Sequence, residues 1–213
     1  LIGRTEQMRL GPLPEDLAAR LFRSHLANLK IICPPGLQLK FLDILRGNPL
    51  YIRNIAKAAW KMQKQELNEK DLIECYSYEV SAGETAFYWT SVFSRYVKNA
   101  AQRKAMLKLL LHAIESGGIE DSARLSMVVG LCEAETETIL SALESSGIIR
   151  DKDAVLQDFI HCLYMQEIEG REANYAREKI AAKYIAEREE SCFELVIPMN
   201  SNAELVVAKA VEQ

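Results

Sequence analysis

The stretch AQRKAMLKLLLHAIES, residues 101–116, sets the fold class of this chain. Met106, Leu109, Leu110 and Ala113 recur at intervals of three and four, which puts them on one face of an α-helix. Gly117 and Gly118 stop that helix, because glycine enters the left-handed C-terminal conformation at least cost. Asp121 to Val129 predicts a short second helix, and Gly130 turns the chain. CEAETETILSALESSG, residues 132–147, predicts a third, with Ile139, Leu140 and Leu143 facing inward and Gly147 as its stop. Ile148 to Val155 surround a charged turn and predict two short strands. Three helices and a small hairpin in this order describe a winged helix-turn-helix.

Working outward, the N-terminal side is also helical. Pro14-Glu15-Asp16 suits a first helical turn, where a missing N–H costs little and acids complement the macrodipole. Leu17, Leu21 and Phe22 supply its apolar stripe. Cys33 to Gly36 break the chain, a helix resumes over Leu37 to Leu45, and Arg46 to Pro49 break it again. Pro49 then opens PLYIRNIAKAAWKMQKQ, with Leu50, Ile52, Ile55, Ala56 and Trp60 on its apolar face. A further helix follows Asn68-Glu-Lys-Asp71 and ends near Val80. Thr85 to Asn99 carries Phe87, Tyr88, Trp89, Phe93 and Tyr96. Such rings could stack on bases, but their helical spacing favours a core stripe. On the C-terminal side, residues 158–170 and 174–190 predict two more helices, the last burying Ile180, Ala181, Tyr184 and Ile185.

Composition narrows the function classes. Of 213 residues, 26 are basic and 30 acidic, a net charge of -4 that argues against a chain-wide nucleic-acid surface. The cysteines 33, 75, 132, 162 and 192 are scattered, and His25, His112 and His161 share no ligand spacing with them. A structural zinc site has no support, and isolated cysteines read as small buried hydrophobes in a reducing compartment. No apolar run approaches the ~20 residues of a membrane span. The bland reading is cytoplasmic. Phosphate-cradling, dinucleotide, nucleophile-elbow and zinc-protease motifs are all absent, so no catalytic residue and no metal ligand is assigned.

The best candidate for ligand contact is LRGNPLYI, residues 45–52. A Gly-Asn-Pro turn at a helix start can present backbone N–H groups to an anion, with Arg46 beside it. The alternative is a plain helix-breaking connection. LGPLPEDLAARLF (10–22) followed by LRGNPLYI resembles the helical lid of signal-transducing P-loop NTPases, archaeal-type ATPases of the wider AAA+ and STAND group. That resemblance implies a helical lid over 1–100, whose nucleotide-binding core lies upstream, and a winged helix with C-terminal helices over 101–190. It further implies that Gly47, Asn48 and Pro49 approach the base of ATP or ADP in the full-length protein, with Arg46 adjacent. Arg4, at the end of the LIGRT strand, would stand near a phosphate-sensing position. Walker motifs belong to the upstream portion, so only part of a nucleotide site is expected here.

The end of the chain, FELVIPMNSNAELVVAKAVEQ (193–213), predicts a strand over Phe193 to Ile197 and an amphipathic helix. It resembles the opening of the ATP-binding domain of anti-sigma-factor serine kinases, of histidine-kinase type, and implies a third domain from 191 onward. The alternative is a terminal strand and helix docked on the winged helix. The expected fold is thus mainly α: a helical lid bundle, then a winged helix-turn-helix, with β structure confined to the wing hairpin and this strand.

Three functional readings follow. The first is a non-catalytic coupling segment, carrying nucleotide state from the P-loop core to the C-terminal ATPase domain through protein contacts of the winged helix. The second is a winged-helix DNA-binding transcription regulator. Glu133, Glu135, Glu137 and Glu144 in the presumed recognition helix, with no lysine or arginine, oppose phosphate contact. An enzyme with an unrecognised site ranks last.

Overall fold

The computed structural model describes residues 12–97, 99–116, 122–146 and 153–186. Among them the elements in chain order are α1 (Glu15–Asn28), α2 (Pro35–Ile44), α3 (Pro49–Lys61), α4 (Glu69–Ser81), α5 (Glu84–Phe93), α6 (Ala100–Ser116), α7 (Ser122–Val129), α8 (Glu133–Ser146) and α9 (Ala154–Glu167). Residues 173–186 are helical as well. The protein is mainly α, as the periodicity predicts. No strand occurs among the described residues. Among the described residues, chain pairing is limited to one parallel bridge, where Ile32 N–H donates to Gln65 O (2.9 Å) and Leu67 N–H to Ile32 O (2.8 Å).

Local chemistry explains where helices start. Pro35 and Pro49 occupy the first turns of α2 and α3, where no intrahelical N–H bond is lost. Asn68 and Asp71 form a capping box at α4: Asn68 Oδ1 accepts the Asp71 N–H at 2.9 Å and Asp71 Oδ2 accepts the Asn68 N–H at 3.1 Å. Asp153 caps α9 through the N–H groups of Val155 (2.9 Å) and Leu156 (3.3 Å).

The α9 cap corrects the expected wing. Ala154 and Val155, read as the end of a hairpin, form the first turn of α9, because the Asp153 carboxylate satisfies helix N–H groups that a strand would have turned to a neighbour. The rest of that hairpin, at 148–152, and the strand at 193–197 lie outside the described residues.

Two apolar clusters hold the helices. The first takes Phe22 and Leu26 of α1, Phe41 and Leu42 of α2, Ile52 and Ile55 of α3, and Leu72 and Tyr76 of α4. The second takes Phe93 of α5, Met106 and Leu110 of α6, Leu125 of α7, and Ile139 and Leu143 of α8. α9 belongs to both. Its residues 156, 159, 160 and 163, spaced i, i+3, i+4, i+7, enter the second cluster, while Val155 and Cys162 enter the first. Ala176 and Ile180 bring 173–186 back onto the first cluster. Six side chains read as part of an apolar face or core stripe point out instead: Leu17 (43% exposed), Trp60 (58%), Phe87 (78%), Tyr88 (43%), Tyr96 (37%) and Ile185 (47%). Each sits at the edge of a face whose other residues, such as Phe22, Ile55, Phe93 and Ile180, are buried as expected.

Candidate functional site

The fold brings together the two segments singled out in the sequence. Leu13 N–H donates to Gly47 O at 3.0 Å, clamping the Pro12–Leu13 entry of α1 against the α2–α3 turn. Gly47 is buried with φ +63°, and a Cβ there would lie 2.4 Å from the Leu13 carbonyl oxygen. Arg46 precedes it, also left-handed at φ +49° and exposed. Only glycine fits both the backbone angle and the close approach at 47.

Around this clamp lies a cleft of about 440 Å³, within the size range of small-ligand pockets. Leu13, Ala18, Leu39 and Leu42 supply apolar wall, while Glu15, Asp43 and Arg46 supply charge. Arg46 and Gly47 are the predicted site residues that line it. The other wall residues were not singled out, although Leu39, Leu42 and Asp43 share one face of α2 at i, i+3 and i+4, with Arg46 just past its end. Arg4 lies outside the described residues.

Asn48 and Pro49 organise the turn from within. Asn48 Oδ1 accepts the Leu50 N–H at 2.9 Å, making Asn48 the N-cap of α3. Pro49 has no N–H to offer. The first N–H groups that could meet an anion are therefore already used or absent. What remains for a ligand at this turn is the left-handed backbone at 46–47, the Arg46 guanidinium and the apolar wall.

Two residues beyond Pro49, the same helix reaches the cap of α9. Tyr51 is buried, and its hydroxyl donates to Asp153 Oδ2 at 2.6 Å while accepting the Trp89 indole N–H at 3.0 Å. Burial and the adjacent Asp153 carboxylate push the Tyr51 phenol far above its ordinary range, so it stays a donor. A second tie sits deeper. Asp158, 1% exposed on the α9 face toward the first cluster, accepts from the hydroxyls of Tyr76 and Tyr184 (2.6 Å each) and from Lys183 Nζ (2.9 Å). A buried carboxylate is tolerable only with such partners.

Elsewhere the chemistry is quiet. Burial pushes the thiol of Cys33 up to about 11 and those of Cys75 and Cys162 up to about 12, so all three stay protonated and unreactive. Among the described residues no three His, Cys, Asp or Glu side chains gather as a metal would need. None of the described helices is long and apolar enough to cross a membrane. Glu133, Glu135, Glu137 and Glu144 of α8 are all exposed. No protein-family model, curated protein or solved structure matches the chain.

Proposed function

We propose that this chain is a non-catalytic coupling segment of a cytoplasmic, multidomain signalling ATPase. In this reading α1–α4 act as a lid touching ATP or ADP held by a P-loop core. The winged-helix-like α6–α8 hand the nucleotide state to a downstream domain. The observation that carries the reading is the Tyr51–Asp153 hydrogen bond. Gly47, Asn48 and Pro49 line or open α3 at the cleft. Tyr51, one half-turn later, is bonded to the residue that caps α9, the helix shared by both apolar clusters. A shift at the cleft edge therefore reaches α9 through one rigid helix and one short bond. The exposed α8 carboxylates favour this reading over a DNA-binding regulator, because they would face phosphates without a compensating cation.

Calorimetric titration of ATP onto this chain tests it. Phosphate- and metal-binding elements are expected in the upstream core, so binding here should be weaker than micromolar, with no hydrolysis. Micromolar affinity in this chain alone would overturn the proposal. In the longer protein, Asn48→Ala or Pro49→Ala should weaken nucleotide affinity. Tyr51→Phe should leave affinity intact while blunting the downstream response.

A further inference from the structure

The outer faces of α3 and α5 form a surface that neither apolar cluster uses. Phe87 is 78% exposed, Trp60 58%, Tyr88 43% and Tyr96 37%. Single exposed apolar side chains are ordinary, but three aromatic rings on two adjoining helices, with Tyr96 in the turn after α5, are not. The helices run antiparallel here: Glu84 of α5 meets Lys57 and Lys61 of α3, Thr85 meets Asn54, and Trp89 meets Tyr51. The patch is stiff, because Tyr88 packs edge-on against Trp89, and Trp89 against the buried Phe93. Arg53, Lys57 and Lys61 lie with Trp60 on the solvent side of α3, Lys57 and Lys61 bridging to Glu84 of α5, and Arg95 follows α5. Trp, Tyr and Arg are the residue types that dominate protein–protein hot spots.

The same chain carries the complement. α8 exposes Glu133, Glu135, Glu137 and Glu144 without a lysine or arginine, and the neighbouring α7 exposes Met127 (84%) and Val128 (43%). We infer that the joined α3–α5 face docks the acidic α8 face, with its flanking α7 side chains, of a second copy of this chain. Nucleic acid is the poorer occupant. Sequence-independent phosphate binding needs a basic tract, and the chain as a whole carries a net charge of -4. Because the two faces differ, the contact is head-to-tail and continues past the dimer unless it closes into a ring. This inference stands independently of the nucleotide reading.

Sedimentation equilibrium of the whole chain, at an ionic strength of about 0.01 M where the screening length is about 30 Å, is the test. The weight-average mass should rise with concentration beyond the dimer. Association should weaken about tenfold or more at about 0.15 M salt. Lys57→Glu with Lys61→Glu, or Glu137→Lys with Glu144→Lys, should each abolish self-association, and mixing the two variants should restore a one-to-one complex. Phe87→Ser, at a ring that supports no core, should weaken association without altering the helical circular dichroism. A chain that stays monomeric at low salt overturns the inference, as does association indifferent to both charge reversals. Saturable binding of a fluorescent oligothymidylate that Phe87→Ser and the lysine reversals abolish, with no self-association, would reassign the face to nucleic acid.

Discussion

Replacing Gly47 by alanine tests the clamp on which the candidate cleft rests. Two costs add there. The φ of +63° places an L-residue in the left-handed region, at about 1–2 kcal/mol. The new Cβ would also sit 2.4 Å from Leu13 O, 3.2 Å from Leu13 N and 3.3 Å from Leu13 C, all of them backbone atoms. They can retreat only by giving up the Leu13 N–H···O Gly47 bond, worth about 0.5–1.5 kcal/mol net. Gly130 and Gly170 supply internal references: their φ values are +73° and +69°, and a Cβ at either would meet nothing within 4 Å. Alanine there carries the backbone cost alone. The gain from a stiffer unfolded chain, about 0.4–1 kcal/mol, is common to all three and cancels. Gly47→Ala should therefore cost about 0.5–3 kcal/mol in urea unfolding once that gain is subtracted, about 0.5–1.5 kcal/mol more than either reference. Equal losses at all three positions would show that the Leu13 contact yields freely and that the left-handed angle alone requires glycine at 47.

Glu79 is 1% exposed, with Oε2 accepting the Thr85 N–H at 2.9 Å and Oε1 buried without a partner. Burial raises its pKa above the ordinary carboxylate value, so the folded state holds this proton more tightly than the unfolded one. The resulting stability is full below the unfolded value of about 4.3 and is lost as pH rises through the folded value. Glu79→Gln should remove that part of the pH dependence and be at least as stable at neutral pH. An unchanged slope would locate the dependence elsewhere. Asp158→Ala should cost about 2–4 kcal/mol by leaving the buried Tyr76 hydroxyl with only the Tyr184 hydroxyl and Lys183 without its carboxylate, and should speed hydrogen exchange over 173–186. Unchanged protection there would mean that burial of Ala176 and Ile180 suffices to hold the segment.

Periodicity alone determined the helices and most of their stops. Met106, Leu109 and Leu110 on α6, and Ile139, Leu140 and Leu143 on α8, are buried as their spacing requires, because a 3.6-residue repeat records one solvent-excluded face. Proline, glycine and asparagine placed the breaks at 33–36 and 46–49, since their backbone preferences act locally. Tertiary structure decided which faces met which. α9 reads as a plain apolar helix, yet one of its faces serves each cluster. Asp158 sits in the inward face only because Tyr76 and Tyr184, far apart in the chain, arrive there together. The outward turn of Trp60 and Phe87 was equally invisible, because hydrophobicity ranks side chains by their aversion to water but does not say whether a neighbour remains to cover them. The Gly47–Leu13 clamp shows the same division. The sequence marks a glycine at a turn, but that it must be glycine follows from a carbonyl thirty-odd residues upstream, 2.4 Å from where a side chain would begin.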